Sequence, residues 1–272
     1  MWFGKATKVR SMKEPVYRVH LDTFGCRTRG LVNECPVFVT RGKRNLMSAY
    51  TINHWLIHGK SRLKILVEPP SGQDALDKQR AFLRGKVTGG DMTIPQDERP
   101  LVELLTFELD LSADTGDYPI AIEDQFDVPT DFPPWLWTRA AALTLDDALR
   151  SAVANAVREV WQALERRDLD RVLELQRVRL RELSQSVFQP MDERITDTRG
   201  DLERLTGQAD GRLRPLDADA YQYPLFANSR LVRVDNPADH PVIRYDFPDT
   251  SIFAGIPLLF ARNEYGRLVW VR

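Results

Sequence analysis

In the first half of the chain, apolar positions come in short alternating runs. Only in the second half do they recur at helical spacing. Runs at 16–21, 31–39, 63–67, 82–87 and 101–111 are separated by turn signals such as Pro69-Pro70-Ser71-Gly72 and Gly89-Gly90-Asp91. After Gly59, the residues Leu63, Ile65 and Val67 alternate with Lys64, Leu66 and Glu68, as a half-buried strand requires. The turn-prone pair Asn33-Glu34 lies between two short apolar runs, which predicts a hairpin. This cadence predicts an antiparallel β-sandwich over residues 1–132.

The segment Asp131-Phe132-Pro133-Pro134-Trp135-Leu136-Trp137 reads as a stiff aromatic connector, because proline fixes φ and biases the residue before it away from helix. It places a linker at 133–143 and a second domain at 144–272. There Leu145, Leu149, Val153, Val157, Val160 and Leu164 follow the helical period, with Thr144 as the expected cap. Asp168 is the expected cap of a second helix, which carries Leu169, Val172, Leu173, Leu180 and Leu183 and ends at Pro190. Residues 191–219 are charged and turn-rich, with room for one short helix near Leu202 to Leu205. Strands are predicted at 231–234, 242–247, 256–261 and 268–271, the last two joined by the polar turn Arg262 to Gly266. The fold class is therefore α+β, a sandwich followed by a helix pair and a curved antiparallel sheet.

Two family resemblances attach to these halves. Val32-Asn33-Glu34 and the later Gly59-Lys60-Ser61-Arg62-Leu63-Lys64-Ile65 resemble the hairpin and strand of the jelly-roll (galactose-binding-like) domain of β-galactosidase-type glycosidases, with Glu34 where that pattern has glycine and Ser61 where it has asparagine. In those enzymes the catalytic barrel is a separate domain, so the resemblance implies no catalytic acid pair here. In the second half, Val160-Trp161-Gln162-Ala163-Leu164-Glu165-Arg166-Arg167-Asp168 and the closing Pro257 to Ala261 and Leu268 to Val271 resemble the nuclear transport factor 2 superfamily, with Arg167 in the place of a usual glycine. That resemblance implies a cone-shaped domain, used either as an enzyme pocket with an acid/base pair or as a binding surface.

Hydrophobic residues make up 43% of the 272 and charged residues 28%, the balance of a folded soluble chain. A net charge of −1 gives no basic field to neutralise phosphates, which argues against nucleic acid as a partner. No stretch reaches the roughly 20 apolar residues of a membrane span. The start, Met1 to Lys8, has no apolar core of about seven residues for a secretory signal, so the compartment expected is the cytoplasm, or the periplasm if a leader was removed. Cys26 and Cys35 are the only cysteines, too few for a disulfide scaffold; they are expected as separate thiols, although a bridge across the hairpin is open.

Chemistry is sparse. There is no G-x-S-x-G, Walker loop, G-x-G-x-x-G or H-E-x-x-H, and no cofactor or metal is expected. His54 and His58 stand at i, i+4, a ligand spacing on a helix, but Gly59 makes two loop histidines the simpler reading. Arg244 and Asp246 share one face of a predicted strand and, with His240, are candidate catalytic residues if that face lines a pocket; in water they form a surface ion pair. Trp135 and Trp137, one residue apart on an extended segment, are candidate sugar-stacking residues or a wedge between domains. Tyr221 and Tyr223, beside Asp217 and Asp219, are a candidate binding patch, or sheet packing if buried.

Three functions follow from these residues. The first is a noncatalytic bacterial protein-interaction protein of immunity or adaptor type, which implies a protein partner. The second is a small-molecule hydrolase or isomerase of the cone type, and the third is a carbohydrate-binding module. The charge balance also allows a homodimer through the terminal sheet.

Overall fold

A computed structural model describes residues 12–42, 44–70, 72–77, 80–109, 111, 116–208, 211–247 and 253–272. The start at Met1 to Lys8, considered above for a secretory signal, and Ser71 of the predicted turn lie outside them. The chain divides into two compact units, Met1–Pro133 and Pro134–Arg272. The fold class is α+β, with antiparallel strands first and helices after them.

The first unit holds β1 (Pro15–Phe24), β2 (Arg27–Val32), β3 (Cys35–Val39), β4 (Leu46–Thr51), β5 (Gly59–Glu68), β6 (Phe82–Asp91), β7 (Val102–Leu109) and β8 (Ile120–Val128). They form two four-stranded antiparallel sheets, ordered β4-β1-β6-β7 and β3-β2-β5-β8. The alternation read in the sequence sets their buried faces. Tyr17, Val19, Leu21 and Thr23 of β1, and Ser61, Leu63, Ile65 and Val67 of β5, are buried at every second position. Within these sheets β1 pairs with β4 and β6, and β2 with β3 and β5. The bend at Gly25-Cys26, with Gly25 at φ 69°, sends β1 and the following β2 into different sheets.

The predicted hairpin is present. Asn33 and Glu34 both have positive φ, 50° and 62°, the conformation that a two-residue turn between twisted strands requires. Gly89-Gly90-Asp91, read as a turn, instead lies inside β6, in register with Pro15, Val16 and Tyr17 of β1. Two other strand glycines sit beneath aromatic rings. A Cβ on Gly30 would lie 2.3 Å from the Phe38 ring, and one on Gly85 2.5 Å from that of Phe107. In both cases the ring belongs to the directly paired residue of the next strand and covers the bare backbone.

The second unit holds α1 (Leu136–Arg139), α2 (Asp147–Glu165), α3 (Leu169–Leu175), α4 (Arg177–Ser186) and α5 (Met191–Gly207), then β9 (Arg212–Leu213), β10 (Leu225–Phe226), β11 (Leu231–Arg233), β12 (Ile243–Asp246), β13 (Phe253–Ile256), β14 (Leu259–Arg262) and β15 (Leu268–Trp270). The apolar stripe of α2 (Leu149, Val153, Val157, Val160 and Leu164) packs with Val172 and Leu180 against Val232, Ile243, Phe260 and Trp270.

Several details differ from expectation. The cap of α2 is Asp146, whose Oδ1 accepts from Leu149 N at 2.7 Å, and not Thr144. Asp168 does cap α3, accepting from Arg171 N at 3.0 Å. The predicted second helix breaks at the buried Gln176 into α3 and α4. The charged segment after Pro190 forms the full helix α5, which meets the core through few side chains, Met191, Ile195 and Leu202. The strands split between two sheets, β10-β11-β14-β15 and β13-β12-β9, so the run at 256–261 contributes to both.

Candidate functional site

Strand β12 alternates between the two sides of its sheet. Ile243 and Tyr245 are buried, and Ile243 belongs to the core of the second unit. Arg244 and Asp246 therefore project from the opposite face. Cross-strand pairing brings Phe253 and Arg212 opposite Asp246, and Gly255 opposite Arg244. Arg214 follows β9, and its N–H donates to Arg244 O at 2.9 Å. Pro241 lies over Gly255, where a Cβ would come within 2.8 Å of its ring.

His240 reaches this face through a tight loop. Asn236 N donates to His240 O at 2.9 Å, while Asn236 Oδ1 accepts from Ala238 N at 2.9 Å and from His240 N at 3.1 Å. Asp239, at φ 53°, completes the turn. The imidazole stacks on Phe253 with centroids 4.7 Å apart and planes 18° from parallel. Arg244 covers the same ring at 5.2 Å.

All three catalytic candidates thus converge. Arg244 Nη2 donates to Asp246 Oδ2 at 3.1 Å, and Nε lies 2.8 Å from Oδ1 as an ion-pair contact without hydrogen-bond geometry. Arg244 Nη1 is 3.0 Å from His240 Nδ1. Because a guanidinium has only donors, Nδ1 is the acceptor and the ring carries its proton on Nε2. Arg214 Nη1 adds a longer contact to Asp246 Oδ2 at 4.0 Å. One cation thereby engages both the carboxylate and the imidazole nitrogen that proton transfer would use. The guanidinium is laid over an aromatic ring, an arrangement suited to recognition of a charged or planar group.

The other candidates are placed elsewhere. Trp137 lies within α1 and not on an extended segment, and Trp135 precedes it; Trp135 is only 1% and Trp137 7% exposed, so neither offers a ring face to a sugar. Tyr221 and Tyr223 flank Gln222, which bridges to Asp235, and both pack against the core of the second unit. Their rings meet edge to face at 6.3 Å, and Arg150 covers Tyr223 at 5.4 Å. Burial, reinforced by Tyr223, pushes the Tyr221 hydroxyl up to about 12. Asp217 and Asp219 beside them are exposed.

His54 and His58 do not share a helical turn. Asn53–Trp55 forms a 3-10 turn that ends at the extended Leu56, and His58 lies in a bend before Gly59, at φ 87°. His54 lies against Trp55, and His58 Nδ1 is 2.9 Å from Asp131 Oδ1 on the surface. Among the described residues, no three His, Cys, Asp or Glu side chains converge as a metal site would require. Cys26 and Cys35 are buried, separate thiols; Cys26 Sγ is 3.1 Å from Thr23 Oγ1, and burial raises its pKa. No helix among the described residues is long and apolar enough to cross a membrane.

Sequence reading missed Phe253, Arg212 and Arg214 in this cluster. Phe253 lies across the sheet from Asp246, and nothing in the spacing of the chain announces that register. Comparison with protein-family models, curated proteins and solved structures finds no match to this chain.

Proposed function

We propose that the chain is a noncatalytic protein-interaction protein of the immunity or adaptor type, and that it docks its partner on the outer face of sheet β13-β12-β9. One observation carries the reading: the Arg244 guanidinium is paired with Asp246 while donating to His240 Nδ1, on the face turned away from the packed core. With its acid and its base both engaged by a single cation, this cluster favours recognition over turnover. Arginine and aromatic groups are also the residues that interfaces concentrate. Arg212 and Arg214 leave the face cationic, which suits an acidic segment on the partner.

Affinity capture from native cells at moderate salt tests this, with the wild type beside Arg244→Glu and Phe253→Ala. The wild type should retain one protein in stoichiometric amount, and each variant should lose it by about tenfold or more, with unchanged circular dichroism. Absence of a partner, or equal retention by both variants, would overturn the reading.

The convergence of the same three side chains is the observation that favours a cone-type hydrolase or isomerase as the second reading. Asp246→Asn separates the two: a partner complex survives that change, whereas turnover is lost.

A further inference from the structure

Each of the two sheets in the first unit ends in two edge strands, and three of the four edges carry a device that discourages another strand from pairing. On β7 the exposed carboxylates Glu103 and Glu108 do this, and on β8 Glu123 and Asp127. On β3 it is Pro36, which has no N–H to offer a neighbour. The fourth edge, β4, has none of these. Its six residues, Leu46-Met47-Ser48-Ala49-Tyr50-Thr51, include no charge and no proline, and they pair with β1 without a shift of register.

The far side of β4 is open. Ile52 N donates to Tyr17 O at 3.0 Å, so the ladder bonds to β1 recur at every second residue, Tyr50, Ser48 and Leu46. The N–H and C=O groups of Met47, Ala49 and Thr51 therefore point away from β1, and they meet no hydrogen-bond partner among the described residues. Met47 is 77% exposed and Ala49 is exposed beside it, on the outer face. On the inner face Tyr50 stacks on Phe38 of β3 with centroids 4.9 Å apart, which holds the strand in place.

An open, uncharged edge selects a partner strand that is also uncharged, and a second copy of this chain supplies one. Copies of β7 or β8 laid against themselves would bring carboxylates together; copies of β4 would not. We propose that β4 is a self-association edge, on which two copies pair antiparallel about a twofold axis and join their four-stranded sheets into one eight-stranded sheet. The register that uses every open group is centred on Ala49, which faces its own copy, with Met47 opposite Thr51 of the partner subunit. This surface lies on a different sheet from the docking face proposed above, and neither reading depends on the other.

Sedimentation velocity of the full chain from about 1 to 300 μM tests the pairing, for the wild type, Ala49→Lys, Ala49→Glu, an equimolar mixture of these two variants, and Gln125→Lys on the guarded edge β8. The wild type should pass from monomer to dimer over that range, and Gln125→Lys should follow it. Ala49→Lys and Ala49→Glu should each weaken the dimer by about tenfold or more, because each sets like charges face to face. Both change an exposed side chain, so circular dichroism should match the wild type. Mixing them sets opposite charges face to face and should restore the dimer. A wild type that stays monomeric, a dimer that either charged variant keeps, or a mixture that stays monomeric would overturn the proposal.

Discussion

Asn53 shows how much one buried amide can organise. It is fully buried; its Oδ1 accepts from Tyr17 N at 2.7 Å and its Nδ2 donates to Pro15 O at 2.7 Å. One side chain thus satisfies two backbone groups at the start of β1. Asn53→Ala would orphan both, and a loss of about 3 kcal/mol in denaturant unfolding is the expected outcome. A loss under about 1 kcal/mol would mean that water replaces the amide. Nothing in the sequence around Asn53 reveals this role, because its partners lie thirty-six and thirty-eight residues away. Asn33 and Glu34 are the opposite case: their turn is a local matter and can be read from the residues themselves. The candidate cluster lies between these extremes. The period of β12 puts Arg244 and Asp246 on one face, whereas His240 arrives by a loop and Phe253 by strand register.

At the scale of elements, the junction of α2 and α3 carries a substitution with a measurable consequence. Asp168 N donates to Ala163 O at 2.8 Å and Arg167 N to Leu164 O at 3.0 Å, the paired bonds that close a helix through a left-handed residue. That residue is Arg167, at φ 54°, and its side chain is exposed. Glycine takes this conformation without the Cβ clash, so Arg167→Gly should raise stability by about 1 kcal/mol, read as a higher denaturant midpoint at constant slope. An unchanged or lower midpoint would show that the arginine contributes more than its backbone strain costs. Elements with a strong apolar period, such as α2 and β5, were legible in the sequence. The helix α5 was not, because its few core contacts are diluted among acids and arginines; β4 and β8 were missed because their apolar alternation is broken, by Met47 outward and Ser48 inward in β4 and by Asp124 inward in β8.

At the scale of the whole molecule, the two units differ in how far apart in sequence their contacts lie. The second unit is rich in local helical contacts, whereas the first joins Pro15 to Asp91 and Gly59 to Val128. Pairings this distant slow folding, because loops must close before contacts form. Stopped-flow refolding followed by far-UV circular dichroism should therefore resolve a fast helical phase and a slower phase that belongs to the first unit. A single phase shared by both would show that the units fold only together.

The bend at Gly25-Cys26 also matters during synthesis. Because β1 and β2 feed different sheets, neither sheet can be finished from the N-terminal strands alone: one waits for β6 and β7, the other for β8. Until Asp91 leaves the ribosome, one edge of β1 presents bare amides and carbonyls to every neighbouring nascent chain. The newborn protein is for that interval a natural client for chaperones that shield strand edges.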